Sequence, residues 1–110
     1  MTRDARQRFA DILAAVDRCL VYRSRLDDSD PQIASMAFDA ILRNLAVIGE
    51  AVRALPEETK KNLPGVPWTS IAGLRNLVVH EYFRVESDLI RDIVDRELVR
   101  LARAVRGGFE

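Results

Sequence analysis

The sequence predicts an all-α fold, an antiparallel four-helix bundle with one additional short helix. Three observations carry this reading. Apolar residues recur at 3–4 spacing along four separate stretches, the mark of helices with one buried face. Glycine and proline are few, five and four in 110 residues, and the prolines stand in the gaps between those stretches. Ala, Leu, Arg, Asp and Val dominate, a balance that favours helix over sheet. A chain of 110 residues suits one domain with one core, taken as residues 1–110.

The first helix is expected over residues 2–26, capped by Thr2 or Asp4. Its apolar stripe is Phe9, Ile12, Leu13, Val16 and Leu20, extended by Arg23 and Leu26. Cys19 falls on that stripe and reads as a buried, inert thiol; as the single cysteine it allows no intrachain disulfide. The polar run Asp27-Asp28-Ser29-Asp30 ends the helix. Asp30 then caps a second helix whose first residue is Pro31, a position where the missing N–H costs nothing.

The second helix has the clearest period. Ala34, Phe38, Ile41, Leu45, Ile48, Val52 and Leu55 step by 4, 3, 4, 3, 4, 3, a heptad-like seam suited to bundle packing. Gly49 lies inside it, at a cost of about 1 kcal/mol relative to alanine that a close helix–helix approach would offset. Glu50 is either part of a solvated face or a carboxylate that orients an arginine farther along the chain.

Pro56 stops this helix, and residues 56–61 suit a short amphipathic turn with acids first and lysines last, matching the helix dipole. Pro64-Gly65-Val66-Pro67 forces a turn, and Trp68 anchors it to the core. A third long element follows, from residue 67 or 68 to about 82, with Ile71, Leu74 and Val78 on its core face and Leu77 beside them. Phe83-Arg84-Val85 is a short connection. Glu86, Ser87 or Asp88 caps the last helix, whose stripe is Leu89, Ile90, Ile93, Val94, Leu98, Leu101 and Val105; Gly107-Gly108 is expected to end it.

Lysine plus arginine equals aspartate plus glutamate, so the net charge is zero and bulk charge argues for neither nucleic acid nor membrane. An anionic partner must be held by a local patch, or by one assembled from two chains. No apolar run approaches the ~18 residues of a membrane span. No signal-peptide core follows Met1, so a soluble cytoplasmic protein without membrane attachment is expected.

The chemistry concentrates in residues 75–82, Arg-Asn-Leu-Val-Val-His-Glu-Tyr, which include the single histidine of the chain. On a helix Asn76 and His80 share a face, and Arg75 and His80 lie about 140° apart, flanking one edge. Arg and His suffice for RNA phosphodiester cleavage without a metal. An imidazole moves protons near neutral pH, and a guanidinium meets the charge that builds on phosphorus. One histidine cannot easily serve as acid and base together, so two chains sharing one cleft become part of the mechanism. With no second histidine, no Cys–His cluster and no glycine-rich phosphate loop, neither a metal nor a cofactor is expected.

Arg75, four residues, His80, one residue and Tyr82 resemble the signature of HEPN-domain toxins of the HepT-like family. The likeness extends to residues 40–45 (Ala-Ile-Leu-Arg-Asn-Leu), to Ile48-Gly49-Glu50-Ala51, and to Pro67-Trp68 with residues 71–76. It continues through Tyr82-Phe83-Arg84-Val85-Glu86, where the family more often has Asp than Glu86. The resemblance implies a HEPN-like helical homodimer with a ribonuclease site at the dimer cleft. Arg75 and His80 would be its catalytic pair, with Asn76 orienting the phosphate or His80. It also implies a toxin–antitoxin pair in which an MNT-type nucleotidyltransferase silences the toxin by transferring AMP to Tyr82. The alternatives are a non-catalytic helical dimer that binds nucleotide or scaffolds the transferase, with Arg75 and His80 contacting phosphate only, and a structural bundle with no active site.

Overall fold

Asp4 starts the first helix with a reciprocal pair of hydrogen bonds. Its carboxylate accepts from the Gln7 N–H at 2.8 Å, and its own N–H donates to the Gln7 side chain at 2.9 Å. The computed structural model of the chain describes residues 4–81 and 85–109, so the Thr2 cap lies outside the described residues. Helix α1 spans Ala5–Tyr22 and tightens into a 3₁₀ turn, Arg23–Asp27, which brings Leu26 into the core. Asp30 caps α2, Pro31–Arg53, by accepting from the Gln32 N–H at 2.9 Å, with Pro31 at its first position as expected.

Helix α2 is the centre of the bundle and packs on α1, on the 3₁₀ turn after it, on Trp68–Ala72 and Leu74–His80, and on Ser87–Asp92 at the start of the last helix. Ile41, Leu45, Ile48, Val52 and Leu55 of the expected seam are buried, while Ala34 and Phe38 are half-buried. Burial is wider than one seam and includes Ala37, Leu42 and Ala51, because neighbours cover α2 on two sides. Helix α3, Glu57–Lys61, is the short amphipathic turn. Trp68 anchors the loop after it: its indole N–H donates to the Lys60 and Leu63 carbonyls, both at 3.1 Å.

The expected third long helix is two short ones, α4 at Trp68–Ala72 and α5 at Leu74–His80. Gly73 joins them in a tight turn, where an added Cβ would sit 3.2 Å from the Ser70 carbonyl oxygen. Ile71 is buried; Leu74, Leu77 and Val78 are half-buried against the core.

The last helix covers residues 87–109 as α6, Ser87–Asp92, a π-helical turn, Ile93–Leu98, and α7, Val99–Phe109. Glu86 takes the cap position without a side-chain cap bond. Ile90, Val94 and Leu98, all fully buried, step by four and four. In a regular α-helix that spacing drifts round the cylinder, and the wider π turn holds all three on the core face. Gly107 and Gly108 do not end the helix: no described glycine has positive φ, so neither makes the left-handed stop. Ion pairs mark the antiparallel docking on α1. Arg23 donates to the Asp95 carboxylate at 3.0 and 3.1 Å, and Arg106 meets Asp17 at 3.4 Å, one helix ascending as the other descends.

Two stripe positions differ from expectation. Leu20 and Leu89 are 40% and 44% exposed, while Cys19 and Ile90 beside them are fully buried. The rest of both stripes is buried or half-buried as expected, and Leu20 and Leu89 fall at their edges, because the width of the covered face is set by the crossing of two helices.

Candidate active site

The site begins with the absence of a side chain. An ideal Cβ on Gly49 would lie 2.8 Å from the Arg75 backbone nitrogen, 3.1 Å from Arg75 Cβ and 3.2 Å from the Ala72 carbonyl oxygen. Glycine therefore lets α5 rest its backbone on α2. This is the close approach that offsets the helix cost of Gly49. The next residue, Glu50, forms a salt bridge from its carboxylate to Arg75 Nε. The reading of Glu50 as the group that orients an arginine is thus the one the geometry favours. Arg75 remains 37% exposed, so its guanidinium is anchored at one edge and open to solvent at another.

Arg75 and Glu50 stand in an open groove of about 370 Å³. Arg8 and Asp11 of α1 form one wall, α2 contributes Arg43 and Val47, and Val79 of α5 closes the end. Arg43 is exposed and makes no ion pair or hydrogen bond to another described residue. Arg43 and Glu50 are seven apart, two turns along one face, which is the sequence signal that could have placed Arg43 in this groove. Arg8 had no such signal, since it arrives from another helix.

His80 is the last residue of α5 and is exposed, and Asn76 one turn earlier is exposed too. Neither lines the groove that holds Arg75. Within one chain the structure thus brings Arg75 and Glu50 together and leaves His80 and Asn76 facing outward, available to a second molecule. Tyr82 lies outside the described residues. Asn44 is the one buried polar side chain among the described residues; its amide donates to the Ala40 carbonyl at 2.8 Å and accepts from Arg18 at 3.4 Å. Among the described residues no three His, Cys, Asp or Glu side chains gather as a metal-ligand set. Cys19 is buried, and desolvation pushes its thiol up to about 12, so it has no nucleophilic part at the site. No described helix is long and apolar enough to cross a membrane.

A family model described as ribonuclease HepT-like matches residues 12–107. A Methanocaldococcus jannaschii protein named “Putative RNase” is 29% identical over 103 residues, 94% of each chain. A protein of Caldanaerobacter subterraneus subsp. tengcongensis with the same designation is 40% identical over 67 residues, 61% of this chain and 60% of that one. The “Probable ribonuclease HepT” of Thermococcus cleftensis is 32% identical over 71 residues, 64% of this chain and 61% of its own length. No solved structure matches the chain.

Proposed function

Because the chain belongs to the ribonuclease HepT-like family, we propose that it is a metal-independent endoribonuclease, active as a homodimer and serving as the toxin of a toxin–antitoxin pair. The observation that carries this reading is the posture of one short helix. Glu50 and the bare Cα of Gly49 hold Arg75 at a groove edge, and the same helix ends on an exposed His80.

In the proposed reaction His80 of one protomer accepts the proton of an RNA 2′-hydroxyl. The freed oxygen attacks phosphorus, and charge builds on the non-bridging oxygens, where the guanidinium of Arg75 meets it. The bond from phosphorus to the 5′-oxygen breaks, and that oxygen takes a proton from His80 of the partner subunit. The products are a 2′,3′-cyclic phosphate and a 5′-hydroxyl. Asn76, a neutral amide on the His80 face, orients the phosphate or the imidazole. Pairing also doubles the cationic charge at a cleft whose monomer is neutral overall.

The antitoxin is proposed to be an MNT-type nucleotidyltransferase that moves AMP from ATP to the Tyr82 phenol oxygen, with pyrophosphate leaving. Two residues past His80, the added phosphate places bulk and negative charge where RNA phosphates must bind. Both partners act in the cytoplasm.

Incubation of the purified chain with single-stranded RNA in the presence of a chelator tests this. Cleavage is expected to persist and to leave cyclic phosphate ends. Arg75→Ala and His80→Ala are expected to stop it while the helical circular dichroism stays intact. Parental cleavage by both variants would overturn the assignment. Mass spectrometry after co-expression with the transferase is expected to find AMP on Tyr82; an inhibited complex with unmodified Tyr82 would remove that part.

A further inference from the structure

The groove beside Arg75 does not end there. It shares Arg43 and Val47 with a second hollow lined by Arg18, Asn44 and Tyr22. That hollow shares Tyr22 and Ala40 with a third, walled by Arg25, Ile33 and Met36. The three form one channel along α1 and α2. On α2 its floor is Ile33, Met36, Ala40, Arg43, Val47 and Glu50, stepping by 3, 4, 3, 4, 3 on one helix face. Seventeen residues of helix separate its ends, about 25 Å.

Its charge departs from that of the chain. The whole sequence is neutral, yet the channel is lined by Arg8, Arg18, Arg25, Arg43 and Arg75 against Asp11 and Glu50, with Arg25 paired to Asp28 at 3.4 Å. Glu50 is already engaged by Arg75. Between the arginines the floor is apolar, with Met36 70% and Ile33 39% exposed, and the half-buried Tyr22 borders two of the three hollows.

We propose that this α1–α2 channel is the binding path for single-stranded RNA approaching Arg75. Arg43 and Arg18 hold successive phosphates, and the Tyr22 ring, with Ala40 and Met36 beside it, receives an unstacked base. Alternating guanidinium and apolar or aromatic surface is what a single strand needs, since its bases are free to stack on side chains. A duplex keeps its bases inside and would leave this floor uncovered. A second copy of the chain suits the channel less well: a two-fold contact must be self-complementary, and a lining with more arginines than carboxylates is not. The proposal rests on the ribonuclease reading and is tested apart from it.

The probe is a fluorescein-labelled, fully 2′-O-methylated RNA octamer, which lacks the attacking hydroxyl and cannot be cut by the proposed route. Its binding to the whole protein is followed by anisotropy over a range of salt. The double variant Arg18→Gln/Arg43→Gln is expected to raise Kd at least tenfold and to flatten the slope of log K against log salt by about 1.4, two phosphates' worth. Tyr22→Leu is expected to weaken binding about tenfold. Arg103→Gln, exposed on α7 away from the channel, is expected to bind like the parent. Parental affinity and salt slope in the double variant would overturn the proposal. So would unchanged RNA binding combined with loss of the dimer in light scattering, which makes the channel a seam between protein copies. A parent that binds the octamer through the channel but cuts no RNA removes the ribonuclease reading alone. A double variant that cuts with parental KM removes the channel alone.

Discussion

Replacing Gly49 by alanine sets two effects against each other, and the structure decides between them. Inside a helix the substitution contributes about 1 kcal/mol of stability through propensity. Against this, the new Cβ meets the Arg75 backbone nitrogen at 2.8 Å and the Ala72 carbonyl oxygen at 3.2 Å. These are backbone atoms, so no side-chain rotation relieves the clash. Restoring ordinary contact, which begins near 3.4 Å, requires α5 to move off α2 by about 0.6 Å. Overpacking of this kind costs about 1–3 kcal/mol. The net change in stability is therefore small, between about 0 and 2 kcal/mol of loss. Activity responds more strongly, because the same movement pulls Arg75 away from Glu50. A misplacement near 1 Å can cost about a hundredfold in rate, so a loss of roughly tenfold or more in kcat is expected here. Thermal melting and single-turnover cleavage of a defined RNA give the two readouts. A Gly49→Ala protein that melts higher than the parent and cuts at the parental rate would refute the close-approach argument.

Three further outcomes follow from the packing and the charges. Glu50→Gln keeps the shape of the side chain but removes the charge that holds Arg75 Nε, so steady-state kinetics are expected to show kcat down about tenfold with KM nearly unchanged; a rise in KM alone would show that Glu50 does not position Arg75 for the transition state. Burial raises the Cys19 thiol from 9.0 to about 12, so the stability tied to its neutral form is complete below pH 9 and drains away as pH climbs toward 12. Urea unfolding across that range is expected to show this slope in the parent and not in Cys19→Ala, and a native Cys19 that reacts at once with thiol reagents at pH 7 would contradict the burial. Hydrogen bonds from Arg91 at 2.8 Å and then Arg23 at 3.2 Å hold the Asp27 carboxyl below its ordinary value. Their stabilisation is present above the ordinary carboxylate pKa and is lost as pH falls through the lowered one, so parent and Asp27→Asn are expected to differ at pH 7 and converge in acid; a gap that stays constant with pH would exclude this linkage.

The features legible in the sequence are those set by near neighbours in the chain. The Asp4 and Asp30 caps, Pro31 at the start of α2, the amphipathic turn at Glu57–Lys61 and the buried positions from Ile41 to Val52 all depend on residues within a turn or two. Where a local cue has more than one outcome, the chain's own neighbours do not choose between them. Gly73 divides the third helix, yet Gly107 and Gly108 do not end the last one. A glycine permits a break without requiring it, and packing on neighbouring elements decides.

The candidate site divides along the same line. Arg75, Asn76, His80 and Tyr82 lie within one short run, so their chemistry and spacing are visible before any folding. An all-α chain and a compact set of reactive groups are legible in the sequence, because periodicity and residue type are properties of adjacent positions. That Gly49 approaches the backbone of Arg75, that Glu50 takes its guanidinium, and that Arg8 and Arg43 complete the groove follows from packing between distant parts of the chain. These residues come from three helices, and no local pattern encodes which sides of three helices meet. That choice is made by how their buried stripes interlock, and the polar edges then converge wherever the interlocking leaves them.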